Sequence, residues 1–444
     1  MTQSGFIAAI DLGSSSIKGV VGRKNENNVI SILANGSIPS KNSIRRGMVY
    51  NIEETGANVR KLITMLENSL GRKIGKIYVS LGGQSLRTLE FREAIELSPG
   101  GIVSDDAVNR LRASAEKYTP ELTRAYKVAD AEYYIDNKPE RNPVGVTGSR
   151  LEASFRLITG RPNLMGNVEK SVTGKAELPI ADYIVGGLAA AAVALSDEEK
   201  ELGCAFVDFG AGTTTLSIYK SGILRGMVVI PFGGKNITKD ICALNFTESD
   251  AEQLKIKFGK AFENQESSFF ASPFSSKPDV DLSQLNRVIA MRLDEIVANL
   301  KEQIRLSGFE DKLGAGLIIT GGASQLKNME AYLNRELKMP VRRAVAKKTF
   351  INNSPELVND PAYTRVLGML LLGQENCELQ VVNRNEQDEI DKEEQAATAS
   401  RLGRSKEKKK ESTKTKKQRN TKEGGGFFSN VEDFFGNMFS DDDE

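Results

Sequence analysis

The sequence predicts a duplicated α/β fold: two halves around a central cleft, a small inserted α+β subdomain, and a polar tail closed by an amphipathic helix. Three observations carry this. One local design occurs twice: Ala8-Ala9-Ile10-Asp11-Leu12-Gly13-Ser14-Ser15-Ser16-Ile17-Lys18-Gly19-Val20-Val21, and then Ala205-Phe206-Val207-Asp208-Phe209-Gly210-Ala211-Gly212-Thr213-Thr214-Thr215-Leu216-Ser217-Ile218. Each reads as a buried apolar strand, an Asp at its end, a Gly/Ser/Thr turn and a second strand. A third segment, Gly316 to Leu326, is an apolar strand running into the Gly321-Gly322 turn and opening a helix. Finally, after about Asn383 the composition collapses into polar residues.

The turn chemistry suits phosphate. Glycine lets backbone approach closely, successive N–H groups point inward, and hydroxyls add donors. Gly13, Ser14, Ser15, Ser16 and Lys18 would face phosphate from one side, and Gly210, Gly212, Thr213 and Thr214 from the other. Asp11 and Asp208 suit a hard cation such as Mg²⁺, through its waters, because that ion dehydrates reluctantly. Gly321 and Gly322 allow a flat ring such as adenine to lie against bare backbone. Two such hairpins could clamp a nucleoside triphosphate between them, so the expected cofactors are ATP and Mg²⁺.

These three segments resemble the two phosphate motifs and the adenosine motif of the actin-like ATPase superfamily, whose fold is a duplicated ribonuclease H-like one. The stretches Asp182–Leu195 and Tyr363–Leu372 resemble its two connecting helices, apolar and rich in small residues as a packed hinge requires. In actin a Gln in the first connecting helix helps to position the attacking water. Here Ile184-Val185-Gly186-Gly187-Leu188-Ala189 offers no polar side chain. The resemblance therefore implies nucleotide binding with slow or absent turnover, and no catalytic residue is assigned. Asp208→Ala is expected to weaken Mg·ATP binding and leave the fold largely intact.

The 444 residues suffice for several domains with substantial cores, and the formal net charge is only +1. There is no histidine, which excludes Ser/His/Asp hydrolysis and Cys/His nucleophiles. Walker-type and HExxH motifs are missing too. Cys204, Cys242 and Cys377 are isolated and read as small apolar residues in a reducing compartment. The N-terminus enters a strand with no signal-like segment, and the longest apolar run, Tyr183 to Leu195, is too short to span a bilayer. A cytosolic protein is expected.

Along the chain, an amphipathic helix is predicted near Ile52–Leu70 and a strand at Lys76–Leu81. A mixed segment to Leu164 follows, with a helix at Ser104–Lys117 capped by Ser104 and strands around Arg124–Tyr134 and Arg150–Thr159. This order resembles the small domain inserted in the FtsA family of bacterial cell-division proteins, and the resemblance extends over about residues 5–380. It includes Leu195–Gly203 before the second turn, Pro231–Ile241 after it, and Ala251–Gly259, where Glu252 and Lys255 are implied around the adenosine. Thr215 departs from the pattern, since many relatives place an Asp there. Phe262–Val280 reads as a loop. The helix Asp281–Leu306 follows, with Leu282, Leu285, Val288, Ile289, Arg292, Ile296 and Leu300 marking its faces. In that family this helix belongs to the subdomain gripping the tail of the tubulin-like protein FtsZ, and Arg292 and Glu295 match an Arg-x-x-Glu pair associated with the contact. A simple ion pair within the helix is the other reading of these two residues.

The tail begins with an acidic stretch, Glu386 to Glu394, and continues with a basic one from Arg401 to Lys422. Such composition cannot bury enough surface to offset chain entropy, so disorder is predicted. After Gly424-Gly425-Gly426, Phe427, Phe428, Val431, Phe434, Phe435, Met438 and Phe439 fall on one helical stripe. That pattern reads as an in-plane membrane anchor. Its polar face is acidic, which the upstream lysines can offset on an anionic leaflet. Docking on a protein is the other reading of the helix. Nucleic acid is not expected as a partner, because no stacking aromatics interleave the lysines.

The predicted organisation is residues 1–82 as the first half, 83–164 the inserted subdomain, and 165–203 the return with the first connecting helix. Residues 204–350 form the second half with its partner-binding subdomain at about 231–306, 351–383 the last helix of the first half, 384–426 the linker, and 427–440 the membrane-targeting helix. The FtsA-like resemblance implies self-assembly into filaments, attachment of FtsZ filaments to the cytoplasmic face of the inner membrane at the division site, and other division proteins as partners. A pilus-assembly actin homologue and a small-molecule kinase of the same superfamily are the alternatives.

Overall fold

The computed structural model describes residues 5–262 and 281–379. The charged linker, the amphipathic stripe from Phe427 to Phe439 and most of the Phe262–Val280 loop lie outside the described residues.

The duplication is visible in strand order. In the first half, Ile180–Val185, Ile77–Leu81, Ile7–Leu12, Ser16–Lys24 and Ile30–Pro39 form a five-stranded sheet in that order. Its pairings run parallel, parallel, antiparallel, antiparallel. In the second half Val341–Arg343, Leu317–Thr320, Cys204–Phe209, Thr214–Lys220 and Ile223–Ile230 repeat the same order and the same sequence of pairings. The two central strands, Ile7–Leu12 and Cys204–Phe209, are buried at every position, as continuous apolar runs between helical layers must be. Each half has its own core, one around Ile10, Val20 and Leu62, the other around Val207, Ile289 and Tyr332.

The inserted subdomain attaches its sheet to the second half. Its strands Arg87–Ile102, Thr147–Gly160, Arg124–Ile135 and Lys138–Glu140 continue the second half's sheet to nine strands. The junction is Val228 paired with Arg87. The chain leaves the first half after Leu81, yet covers the open edge of Ile223–Ile230, which would otherwise present unpaired backbone groups. Side chains reinforce the seam: Met227 N–H donates to Thr88 Oγ1 at 3.0 Å, and Leu224 N–H to Asp130 Oδ2 at 2.7 Å. The 16-residue strand Arg87–Ile102 has no counterpart among the strands read from sequence. Leu89, Phe91, Ile95 and Leu97 alternate, but Glu93 interrupts the period.

Helix ends follow local chemistry closely. Ile52–Leu70 is capped by Asn51, whose side chain accepts from Glu54 N–H, and ends at Gly71 with φ 68°. Ser104 caps Asp105–Lys117 through Ala107 N–H, as expected. Asp281 caps Leu282–Leu306, which buries Leu285, Ile289, Leu293, Ile296, Leu300 and Ile304. Two boundaries differ. Asp182–Val185 belongs to the edge strand Ile180–Val185, and the first connecting helix starts only at Gly186 and ends at Ala194. The Gly321-Gly322 turn opens a short 3-10 turn, Gly322–Gln325, and the helix proper is Met329–Leu337. The second connecting helix is Thr364–Leu372. It crosses the first so closely that a Cβ on Gly368 would lie 1.8 Å from Ala189 O.

Candidate functional site

The two Asp turns meet at the junction of the halves. A Cβ on Gly212 of the second turn would stand 2.5 Å from Ser14 Oγ of the first, so the turns touch. Ser14 Oγ in turn accepts from Gly47 N–H at 2.9 Å. The second turn is closed by Gly210 N–H donating to Thr213 O at 2.9 Å. It is buttressed from outside: Gly234 N–H donates to Gly210 O and Lys235 N–H to Ala211 O, at 3.0 and 2.8 Å. The segment Pro231–Ile241 therefore positions the turn.

Below the turns opens a cavity of about 440 Å³. Asp11, Gly13, Ser14, Ser15, Ser16, Lys18, Asp208, Gly210, Gly212, Thr213, Glu252, Lys255, Gly321 and Gly322 all line it. Thr214 does not: it is fully buried in its strand and donates its hydroxyl to Phe232 O at 2.9 Å. Thr214 is the first residue of the strand Thr214–Lys220, whereas Thr213 still belongs to the turn and lines the cavity. Sequence reading also missed Gly47, Lys235 and Arg365, which line the same space. Lys235 reaches across to Lys41 O at 3.1 Å and so ties the halves together.

At one end of the cavity, Gly321 has φ 87° and a Cβ there would strike Asp208 Oδ1 at 2.3 Å, so glycine is required. Lys255 Nζ donates to Gly234 O, Thr238 Oγ1 and Glu252 Oε2 at 3.0, 2.8 and 2.7 Å. Burial lowers the Lys255 pKa against the pull of Glu252. Glu252 and Lys255 are thus a bonded pair on the cavity wall rather than solvated helix charges. Beside the first turn, Lys18 Nζ sits 5.2 Å from the Tyr363 ring centroid, a cation–π contact on the cavity wall.

Arg365 is the residue whose role no motif announced. It interrupts the apolar run of the second connecting helix, and its Nε donates to Asp208 Oδ2. The pair is deeply buried, with side chains 17% and 3% exposed. Burial, the largest single effect on Arg365, pulls its pKa down, but the charges of Asp208 and Asp11 outweigh it and the net shift is upward. The sequence signal was a lone Arg between Thr364 and Val366 in an otherwise apolar helix.

Asp11 is buried, and its Oδ1 has no hydrogen-bond partner. Such an orphaned oxygen fits a cation or its water shell. No group of three or more acidic, Cys or His side chains gathers among the described residues. The donor set thus fits an Mg²⁺ held mainly by phosphate and water, with Asp11 and one oxygen of Asp208 in its outer shell.

Away from the cleft, Arg292 is engaged within the chain. It forks onto Asp240, Nε to Oδ2 at 2.5 Å and Nη2 to Oδ1 at 3.0 Å, and also pairs with Glu295. The hydrogen bond with Asp240 is the main cause of its raised pKa. The pair therefore ties Leu282–Leu306 to Gly234–Cys242, in addition to any contact it makes outside.

Comparison with known proteins places this geometry. The family model for "Cell division protein FtsA" matches residues 205–368, and the "SHS2 domain inserted in FTSA" matches residues 83–159. Cell division protein FtsA of Porphyromonas gingivalis is 36% identical over 338 residues, 74% of this chain and 70% of the relative. The chain belongs to the FtsA family. The FtsA of Pseudomonas aeruginosa is 30% identical over 84% of this chain and 90% of the relative, and that of Escherichia coli K12 27% identical over 84% and 92%. Among solved structures, a PilM-PilN type IV pilus biogenesis complex aligns with a TM-score of 0.58 at 17% identity, covering 83% of this chain and 98% of that one. That likeness concerns the fold alone. The fold is the actin-like one with the inserted FtsA-type domain, as the sequence motifs implied, and membership of the FtsA family decides against the pilus-assembly and kinase alternatives. No helix among the described residues is long and apolar enough to cross a membrane.

Proposed function

We propose that this cell-division protein binds ATP with Mg²⁺ between its two Asp turns and turns it over slowly. The observation that carries the reading is the direct apposition of Gly212 and Ser14 across the cleft, with open space beside Gly322 for the ring. Bare N–H groups, hydroxyls and Lys18 supply phosphate donors, while Thr215 brings no carboxylate and the Gly186-Gly187 start of the first connecting helix no polar side chain to activate a water. Gly322→Val tests it. A Cβ there meets nothing nearer than Ala362 Cβ at 3.6 Å, so the variant should fold normally and occupy the nucleoside space. Calorimetric titration should show ATP binding in the parent and none in the variant. Equal affinity in both would refute the placement. Turnover should stay well under the roughly 1–10³ s⁻¹ usual for enzymes.

The finer biological reading follows the family. The chain assembles into filaments and carries FtsZ filaments at the cytoplasmic face of the membrane, gripping the FtsZ tail near Leu282–Leu306 and inserting Phe427, Phe428, Val431, Phe434, Phe435, Met438 and Phe439 into the lipid boundary. Weak anchors on many subunits would sum through avidity. Liposome sedimentation with Phe434→Asp/Phe435→Asp should show release at all salt concentrations, since burial of each Phe contributes up to roughly 1.5–3 kcal/mol. Neutralising Lys408, Lys409 and Lys410 should matter only on anionic lipid at low salt. Retained sedimentation of the Phe variant would mean that the stripe docks on protein.

A further inference from the structure

We propose that Lys235 is a latch across the cleft, and that its bond to the opposite half sets how fast nucleotide enters and leaves. The inference rests on the nucleotide reading above. Each of the two turns is held by a neighbouring segment. In the first half Ser40 N–H donates to Ser15 O at 3.0 Å, which fastens the loop after Ile30–Pro39 to the first turn. In the second half Lys235 N–H donates to Ala211 O at 2.8 Å, which fastens the helix Gly234–Cys242 to the second turn. Lys235 Nζ then spans the cleft to Lys41 O at 3.1 Å. One residue thus holds the second turn by its backbone and the loop of the first turn by its side chain. The bracket closes on the cavity itself, since Ser15, Ala211 and Lys235 all line it.

Glu248 and Glu252 line the same cavity and attract the ammonium, yet its hydrogen bond goes to a neutral carbonyl on the other half. The Lys235 side chain is half-buried, and burial lowers its pKa against the pull of those two acids. A bond shielded in this way is stronger than one in open water. The acceptor sits in a strained loop. Lys41 has φ 45°, a left-handed conformation unfavourable for lysine, and the fully buried Ser40 Oγ has no hydrogen-bond partner. Such strain persists only while neighbouring contacts hold it, so the Lys235 bond and the position of the loop are coupled. Because the bond joins protein to protein, it is made with the cleft empty and with the cleft filled, and is broken only while nucleotide passes. Removing it therefore lowers the barrier in both directions.

The test is stopped-flow exchange of a fluorescent, ribose-labelled ATP with Mg²⁺ on the full chain, for the parent, Lys235→Met and Lys235→Arg. Lys235→Met keeps an apolar stem and removes the donor. Its entry and exit rate constants should both rise by roughly 3- to 10-fold, the worth of one hydrogen bond, with their ratio changing less than either. Lys235→Arg, which keeps a charged donor on a long stem, should return both rates toward those of the parent. Faster exit with unchanged entry would make Lys235 a phosphate ligand and overturn the latch. Two unchanged rates in Lys235→Met would overturn it as well. A parent that takes up no labelled ATP would overturn the nucleotide reading and this proposal with it.

Discussion

Gly368→Ala sets two opposed effects against each other, and the structure decides the sign. In an exposed helix interior, alanine would stabilise by about 1 kcal/mol over glycine. Gly368 is not exposed: it sits where the connecting helices cross, and its new Cβ would lie 1.8 Å from Ala189 O. An ordinary carbon–oxygen approach is about 3.3–3.6 Å, so the helices must part by roughly 1.5 Å. The obstacle is backbone carbonyl inside a helix, which cannot rotate away. Overpacking of this kind costs about 1–3 kcal/mol and occasionally more, and the upper end applies because a whole interface must move. A net loss of about 2 kcal/mol is expected, read as a lowered urea midpoint, together with weaker ATP binding because these helices set the spacing of the two turns. Gly166→Ala is the matched control. It lies in the helix Leu164–Glu169 with no atom within 4 Å of the added Cβ, so it should be neutral or slightly stabilising. Gly368→Ala as stable as the parent would refute the close crossing.

Three other outcomes follow from individual contacts. Asp208→Ala should destabilise the folded protein by about 3–5 kcal/mol because it strands the buried Arg365, whereas Asp208→Ala/Arg365→Met should recover most of the loss in urea denaturation. This corrects the expectation from sequence that the fold would be largely indifferent to Asp208. The Glu90 carboxyl is held at about 2 against an ordinary 4.5: burial, the largest single effect, raises it, but bonds from Ser154 and Arg92 and the charge of Arg156 prevail. Because its folded value is depressed, its stabilisation is present above 4.5 and is lost as pH falls through about 2. Glu90→Gln should flatten that part of the Tm–pH curve, by no more than about 1 kcal/mol in a side chain 41% exposed. Among the cysteines, burial pushes Cys204 up to about 12 and also raises Cys377, so native alkylation at neutral pH should label half-buried Cys242 first. Labelling of Cys204 at the same rate would contradict the packing around it.

What the sequence by itself determined was local and short-ranged. An Asp followed by Gly, Ser or Thr between two apolar strands specifies a turn and its donors within about ten residues, and those turns form where they were read. Ser104 and Asp281 announce helix starts because the cap is made by a neighbour three residues away or fewer. Glu252 and Lys255 were legible as a cavity pair only through resemblance, since their spacing alone permits a solvated ion pair. Other features depended on residues that meet across more than fifty positions. Arg365 finds Asp208, Arg292 finds Asp240 on another helix, and Arg87 finds the free edge at Val228. Thr214 turns inward because its hydroxyl finds Phe232 O on the segment after the next strand. No local pattern encodes these pairings. Burial makes an unpaired charge or an open strand edge costly, and only the closed three-dimensional packing shows which distant partner removes that cost.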